Sequence, residues 1–177
     1  MRRKSPSFAA TKCFEFVAQA TRLRRTIPRA GRLRHRGQHM ITGLSHVSIV
    51  VPDLDAAARA LEQKYGLKIG KIELNAEQGV RMAYIELPNA KIELMEPSRA
   101  DSPVMKFLEK NPHGGIHHFC LGVDSMDATS AALGKEGVRV LGEGKKQLNV
   151  HGERIAFVHP KDFFGALVEL EEHASKH

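Results

Sequence analysis

The sequence has no apolar run close to the roughly 18 residues that span a bilayer, so we expect no transmembrane helix. It contains two cysteines, Cys13 and Cys120, which form no CxxC pair. This argues against a disulfide framework or a zinc ribbon and indicates a reducing compartment. Neither a GxxxxGK[ST] loop nor a GxSxG element is present. A P-loop nucleotide site and a serine-hydrolase nucleophile are therefore excluded.

Acidic residues are almost missing from residues 1–40, which hold 11 Lys or Arg against one Glu, a net charge of +10. Residues 41–177 hold 16 Lys or Arg against 19 Asp or Glu, a net charge of −3. We therefore expect no nucleic-acid-binding face on the larger part. The composition of residues 1–40 is typical of a mitochondrial transit peptide, and a true translation start near Met40 fits equally well. The first interpretation predicts the mitochondrial matrix, and the second a cytoplasmic bacterial protein.

The larger part contains an internal repeat, which predicts two βαβββ modules over 41–97 and 114–172. Each module starts with a strand of alternating faces and continues with a helix that ends at a glycine, Gly66 or Gly137. Three further strands complete each module, and the first of them is expected at 67–69 and at 138–140. The repeat predicts an α+β fold in which the two modules share one core.

Residues 98–113 form a linker between the modules. It is predicted to hold a short helix over 104–110, with Ser102 as its N-cap and Pro103 at the first helical position. Residues 173–177 are expected to form a tail.

Four polar residues occupy corresponding places in the two modules. His46 and His118 lie in the first strand of each module, and Glu93 and Glu169 lie between large apolar residues in the last strand. Strict alternation puts His117 on the apolar face, so His118 is the counterpart of His46. Any one of these residues alone would be an ordinary strand residue. Their coincidence across a duplication predicts a mixed nitrogen and oxygen site for Zn, Co, Ni, Mn or Fe(II).

Other polar residues have no counterpart in the repeat. Glu171 and Glu172 are expected to be solvated beyond the last strand, and His173 is expected to belong to a frayed tail. The histidines in or near turns are expected to be exposed or to contact a substrate; they are His113, His151 and His159.

Five motifs follow one another over nearly all of residues 42–172. They read Leu-Ser-His-Val at 44–47, Asp-Ser-Pro-Val at 101–104, Gly-Gly-Ile-His-His at 114–118, Phe-Val-His-Pro-Lys-Asp at 157–162 and Leu-Val-Glu-Leu-Glu at 167–171. In this order they resemble the signatures of the vicinal oxygen chelate superfamily and, within it, of the methylmalonyl-CoA epimerase family. The resemblance implies a glyoxalase-like curved sheet, built by two tandem βαβββ modules around a metal site.

The resemblance also implies an activity, the interconversion of (R)- and (S)-methylmalonyl-CoA in propionyl-CoA metabolism. The reaction would be a metal-assisted 1,1-proton transfer through an enolate. His46, His118 and Glu169 would be metal ligands, with Glu93 at the family's more variable fourth position and Glu169 also as catalytic proton carrier. We expect Co²⁺ as the ion, with Zn²⁺, Mn²⁺ or Ni²⁺ as alternatives. We expect a homodimer that binds neither nucleic acid nor membrane.

The sequence departs from the family pattern at one position. Some bacterial members carry a Glu as second acid/base just after a Glu-Gln-Gly-Val stretch, and Met82 stands there in this chain. Glu86, Tyr84 or an ordered water are the alternatives for this role. The basic candidates for contacts with the anionic CoA are Lys145, Lys146, Arg154 and Lys161.

Three rival functions share the fold. A glyoxalase I-type lyase would act on glutathione adducts, a metal-free protein would only bind a small ligand, and a ring-cleaving dioxygenase would use two His and one Glu with Fe(II). The His46, His118 and Glu169 set argues against a metal-free binder, and the single module pair argues against the dioxygenase. Cys120 shares the face of His118 but has no evident base to activate it, so covalent catalysis is not expected.

Overall fold

The computed structural model describes residues 41–142 and 147–173. The predictions for residues 1–40, Lys145, Lys146 and the tail beyond His173 concern residues outside this part of the chain. Among the described residues, no helix combines the length and the apolar character needed to cross a membrane.

The helices and strands repeat in the same order on either side of a short linker helix. The first half contains β1 (Ile41–Val50), α1 (Leu54–Tyr65), β2 (Glu73–Asn75), β3 (Val80–Glu86) and β4 (Lys91–Pro97). The linker holds α2 (Met105–Lys110). The second half contains β5 (Gly115–Val123), α3 (Met126–Lys135), β6 (Val140–Leu141), β7 (Gln147–Leu148), β8 (Arg154–Val158), a 3-10 turn (Pro160–Asp162) and β9 (Val168–Glu172).

The nine strands of the described residues join one sheet, in the order β2-β3-β4-β1-β5-β9-β8-β6, with β7 also paired to β8. In each half the first and last strands are parallel neighbours, β1 with β4 and β5 with β9. The halves meet through the antiparallel pair β1 and β5. The pairing is therefore the same on both sides of the sheet's centre, and the predicted α+β fold class is confirmed.

The sheet has a helix-covered face and a cavity face. Under α1, the core includes Leu54, Ile85 and Leu94, each about 1% exposed or less. Under α3, it includes Val123 and Leu170. Because successive strand residues point to opposite faces, the residues between these positions face the cavity. Burial on the helix side thus fixes which side chains reach the site.

The helix ends follow the capping rules. Asp53 precedes α1 and its carboxylate accepts a hydrogen bond from the backbone N–H of Ala56 at 2.8 Å. Ser125 does the same for Ala128 at 3.3 Å. Gly66 and Gly137 take the left-handed conformation beyond the helices, with φ of +66° and +77°.

The prediction of a strand at 67–69 is wrong, because the first strand after α1 is Glu73–Asn75. Leu67 and Ile69 are half-buried against the core under α1. The backbone approaches β3 at Gly70, whose N–H donates to the Tyr84 carbonyl at 2.8 Å. In the second half the strand predicted at 138–140 is shifted to 140–141, and the additional strand β7 was not predicted.

The linker helix begins one residue later than predicted, and Ser102 is not its side-chain cap. No side chain caps α2 at Val104. The Ser102 hydroxyl lies 3.5 Å from the Gln78 carbonyl, whereas the Ser102 carbonyl accepts from the Met105 N–H at 3.0 Å. The segment therefore begins as a turn, and the hydroxyl is used to hold the linker against the first half.

Candidate metal centre

The central strand pair brings the four repeated polar residues together. Across β1 and β5, His46 lies opposite Cys120 and Ser48 lies opposite His118. On the outer side of each strand, Ser48 pairs with Glu93 and Cys120 pairs with Glu169. The residues brought to one place on the cavity face are His46, Glu93, His118 and Glu169.

Their polar atoms converge within hydrogen-bonding or ligand distance. Nε2 of His118 lies 2.9 Å from Oε2 of Glu169 and 3.9 Å from Oε2 of Glu93. Nε2 of His46 lies 3.3 Å and 3.7 Å from the same two oxygens. Nε2 of His46 is also buried and has no partner in hydrogen-bonding geometry. Two imidazole nitrogens and two carboxylate oxygens that face one another suit a divalent cation.

The charges on the cavity wall also favour a bound cation. Three glutamates on its wall are at most 6% exposed; they are Glu93, Glu169 and Glu171. None of the described residues that line the cavity is Lys or Arg. Because buried carboxylates are costly without a positive partner, this donor set fits a bound metal ion. The arrangement supports a divalent metal ion at this site.

The histidines and carboxylates of the site shift one another's pKa values. Burial would raise the pKa of Glu169, but the hydrogen bond with His118, followed by the nearby imidazole of His46, outweighs it and holds that pKa at about 2. Burial would also lower the pKa of His46, yet the carboxylates of Glu169 and Glu93 leave it above its ordinary value. Glu169 therefore carries its negative charge at neutral pH.

The cavity encloses about 300 Å³ beside these residues. One wall is apolar and includes Val80, Met82, Met95 and Val104, all buried. The lining also includes Leu148, Asn149 and Val150. A small group with one alkyl substituent and several oxygens would find both an apolar wall and polar ligands here.

His117 lies in the cavity, so its predicted place on the apolar face is wrong. Between Ser48 and Ile49, β5 contains one residue more than β1, and His117 is that extra residue. Such a bulge breaks the alternation and turns the side chain toward the face of its neighbour. His117 thereby reaches the cavity wall, where Nδ1 lies 2.9 Å from Nδ1 of His118. Burial, followed by the nearby His118, lowers the pKa of His117 to about 4.

Glu171 is buried, not solvated as predicted. It lies in β9, two residues after Glu169, and is 4% exposed. Its Oε2 accepts from the Ser45 hydroxyl at 2.6 Å, and its Oε1 accepts from Asn149 Nδ2 at 2.6 Å. The alternation of Val168-Glu-Leu-Glu171 was the available signal, since it puts both glutamates on one face.

His173 is held by two carboxylates and is not frayed as predicted. Its Nε2 lies 3.2 Å from Glu171 and its Nδ1 lies 3.4 Å from Glu153. The backbone N–H of His173 also donates to the Val123 carbonyl at 3.1 Å. The chain thus stays attached to the end of β5 through residue 173.

The two side chains expected as second acid/base occupy different places. Glu86 is exposed at the end of β3 and pairs with Lys91 at 3.5 Å, away from the cavity. Tyr84 lines the cavity, and its hydroxyl donates to Oε1 of Glu93 at 2.9 Å. Burial, then the negative charge of Glu93, raises the pKa of Tyr84 far above its ordinary value. Tyr84 therefore remains a donor at neutral pH. Met82 lies on the apolar wall.

The basic residues that were expected to contact CoA lie in different elements of the fold. Arg154 is paired with Asp127 at 2.6 Å and with Glu172 at 3.6 Å, while Lys161 is exposed in the 3-10 turn. Their contact with CoA stays a prediction.

His113 and His151 are exposed, and the His151 ring lies 5.9 Å from that of Tyr84. His159 accepts from the Lys161 N–H at 3.1 Å.

Residues 45–157 match the family described as Glyoxalase/Bleomycin resistance protein/Dioxygenase superfamily. The chain is 47% identical to the ethylmalonyl-CoA/methylmalonyl-CoA epimerase of Cereibacter sphaeroides, over 75% of this chain and 99% of that protein. It is 42% identical to the mitochondrial methylmalonyl-CoA epimerase of Homo sapiens, over 73% of each chain. The chain belongs to the methylmalonyl-CoA epimerase family of this superfamily.

A solved structure agrees with this assignment. A Streptomyces coelicolor methylmalonyl-CoA epimerase variant in complex with 2-nitronate-propionyl-CoA superposes with a TM-score of 0.71 at 37% identity. The match covers 77% of this chain and 100% of that one. The predicted membership and glyoxalase-like fold are therefore confirmed.

Proposed function

We propose that the chain interconverts (R)- and (S)-methylmalonyl-CoA by moving the proton on C2 between the two faces of the substrate. The observation that carries the proposal is the convergence of four buried ligand atoms, from two histidines and two glutamates, beside an apolar wall. The 47% identity to an epimerase of this substrate class supports it.

The proposed ligands are His46, Glu93, His118 and Glu169. A divalent cation, when bound, supplies positive charge to the thioester and carboxylate oxygens of the substrate as the C2 proton leaves. We propose Co²⁺ as this ion, with Zn²⁺, Mn²⁺ or Ni²⁺ as alternatives, because imidazole and carboxylate donors suit all four. Elemental analysis of the purified protein, followed by reconstitution of the metal-free form with each ion, decides between them.

Glu169 is the proposed proton carrier on one face. It is ionised at neutral pH and lies on the cavity wall between both histidines. Nε2 of His118 and Oε2 of Glu169 already lie 2.9 Å apart and face the same point, so the carboxylate is positioned before substrate binds. On the other face Tyr84 is the remaining side-chain candidate of the two expected, since Glu86 points away from the cavity.

Hydrogen exchange at C2 tests the proposal directly. In deuterated buffer the protein should replace the C2 proton of methylmalonyl-CoA, and it should convert one stereoisomer into an equal mixture of both. A chelator should stop both processes and added Co²⁺ should restore them. Turnover of a glutathione hemithioacetal or of a catechol without C2 exchange would instead support the glyoxalase or dioxygenase alternative. Binding without turnover would support a metal-free binding protein.

A larger 2-alkyl group is a second candidate substrate. Met82 and Met95 form the apolar wall, and methionine side chains adapt readily to added volume. A related epimerase carries ethylmalonyl-CoA in its name. One added methylene is worth about 0.8 kcal/mol when buried. We therefore expect kcat/KM values for the methyl and ethyl substrates within roughly tenfold of each other. A much larger preference for methyl would show that the wall is closed to the longer group.

We further propose a homodimer, which light scattering of the purified protein can test. For residues 1–40 we propose either a cleaved mitochondrial leader or residues upstream of the true start. Sequencing the N-terminus of the natural protein separates these alternatives.

A further inference from the structure

The unused nitrogen of His46 lies next to a hydroxyl. Nδ1 of His46 is 3.4 Å from Oγ of Ser45, and that hydroxyl donates its hydrogen to Oε2 of Glu171 at 2.6 Å. The serine oxygen is then left to accept a hydrogen from Nδ1. With its proton on Nδ1, the ring presents the lone pair of Nε2 to Glu93 and Glu169.

The backbone explains why the serine can reach the ring beside it in sequence. Between Leu44 and His46, β1 contains one residue more than β5, and Ser45 is that residue. The bulge turns Ser45 toward the same side as His46. In the second half the bulged residue is His117, whose Nδ1 lies 2.9 Å from Nδ1 of His118. Each histidine is thus preceded by a bulged polar residue that meets its outer nitrogen.

Glu171 is itself held in place from two directions. Asn149 donates to Oε1 at 2.6 Å, and Nε2 of His173 lies 3.2 Å from Oε2. The first half has Met95 at the position that corresponds to Glu171, since each lies two residues after the ligand glutamate of its strand. The fold accepts an apolar residue there, so the buried carboxylate needs a reason other than packing.

We propose that Ser45 and Glu171 are positioning residues, which act in series to hold His46 with Nε2 turned toward the metal ion. Glu171 orients the serine hydroxyl, and the serine oxygen holds Nδ1–H of His46. The second half reaches the same result in one step, through His117. Outer hydrogen bonds of this kind fix the tautomer and ring orientation of ligand histidines. The inference rests on the proposed function in that it takes His46 as a ligand.

Metal affinity is the decisive measurement. Ser45→Ala, Glu171→Gln and the double variant are purified at full length, freed of metal and titrated with Co²⁺ in competition with a chelator. Each single variant should bind Co²⁺ roughly 10- to 100-fold more weakly, and its Co²⁺ absorption bands should shift. Because the two residues act in series, the double variant should be no weaker than the weaker single variant.

Two matched variants control for packing and charge. Ser45→Thr keeps the hydroxyl and should restore an affinity close to wild type. Glu172→Gln makes the same charge change one residue along β9, where the carboxylate caps α3 through the Met126 N–H, and it should leave affinity unchanged. If Glu171→Gln does not fold, Ser45→Ala and Ser45→Thr still decide the question.

Wild-type Co²⁺ affinity and spectrum in folded Ser45→Ala would overturn the inference. Additive losses in the double variant would also overturn it, because they would mean independent roles. The outcome is separable from the proposed function. If the wild-type protein bound Co²⁺ tightly but did not exchange the C2 proton, the epimerase proposal would fail while the affinity series still tested Ser45 and Glu171.

Discussion

The two halves of the sheet share a framework but differ in the side chains around the site. At corresponding positions both carry a histidine in the first strand and a glutamate in the last. Around these, the first half has Ser45, Ser48, Tyr84 and Met95, and the second half has His117, Cys120, Phe157 and Glu171. The duplication supplies the ligand positions, whereas the differences decide what each side of the cavity can do.

The differences give the cavity two unlike sides. The first half contributes an apolar wall and a hydroxyl that donates to Glu93. The second half contributes Glu169, bound to His118, and a further buried carboxylate at Glu171. Inversion at a carbon needs a proton taken from one face and returned to the other, so a site with unlike sides suits the reaction better than a symmetric one.

Removing a ligand of the second half should have the largest effect. His118→Ala or Glu169→Ala takes away one of two groups that lie 2.9 Å apart and leaves the other buried without its partner. We expect loss of most bound metal and a fall in epimerase turnover of roughly 10²- to 10⁴-fold. Elemental analysis and the C2 exchange rate measure the two losses. Circular dichroism confirms that the fold remains.

The equivalent change in the first half sharpens the comparison. Glu93→Ala should lose less turnover than Glu169→Ala if Glu93 serves as ligand alone while Glu169 also carries the proton. Equal losses in the two variants would show that the halves contribute alike. A fully metallated and active double variant of His118 and Glu169 would remove the basis of the metal assignment.

Tyr84→Phe gives both halves a phenylalanine at corresponding positions, since Phe157 is the counterpart of Tyr84. The change removes the 2.9 Å hydrogen bond to Glu93 and little volume. A hydrogen bond to a charged group contributes about 1.5–3 kcal/mol, so Co²⁺ affinity should fall by roughly 10- to 100-fold. Competition titration measures it. An unchanged affinity together with a lost C2 exchange on one face would point instead to proton transfer by Tyr84.

Much of this arrangement could be predicted from the sequence because the duplication is visible in it. Two copies of a strand with an alternating pattern, each followed by a capped helix that ends at glycine, specify the order of elements. Alternation also put His46, His118, Glu93 and Glu169 on one face, and the structure brings all four together. Their role as metal ligands stays a prediction.

The residues that were not placed correctly from the sequence lie where regular strand geometry breaks or where a strand ends. A bulge adds one residue to a strand and reverses the face of the residue there, so His117 was assigned to the wrong side and Ser45 was overlooked. Glu171 was missed for a different reason: the last strand runs two residues further than Leu170, where it was expected to stop. Strand ends and bulges are set by pairing across the sheet, which local sequence does not encode.

Cys120→Ser tests another pair of counterparts, since Ser48 takes this position in the first half. Cys120 is fully buried, and burial raises the pKa of its thiol, so it is not a thiolate nucleophile at neutral pH. We expect turnover to change less than tenfold, equivalent to about 1.4 kcal/mol in barrier height. Loss of C2 exchange in a folded, metallated variant would contradict catalysis without a covalent step.

The smallest effect is expected where the halves differ in the connection between their last two strands. The first half uses a short hairpin closed by the Leu87 N–H to Ala90 carbonyl bond at 2.9 Å. The second half uses a longer loop with a 3-10 turn, and Asp162 fastens this loop to Arg139 through bonds of 2.7 and 2.8 Å from the guanidinium. These bonds hold the pKa of Asp162 well below its ordinary value of 3.8.

A carboxyl whose pKa is lower in the folded state stabilises the fold above its unfolded pKa, and this contribution is lost as the pH falls through the folded pKa. Asp162→Asn should therefore lower Tm slightly at neutral pH, and the difference from wild type should shrink in strong acid. Thermal unfolding at several pH values measures this. Asp101→Asn is the control, because Asp101 pairs with Arg99 on the exposed linker surface and its loss should leave Tm unchanged. A difference for Asp162→Asn that stayed constant with pH would mean that shape, not charge, secures the longer loop.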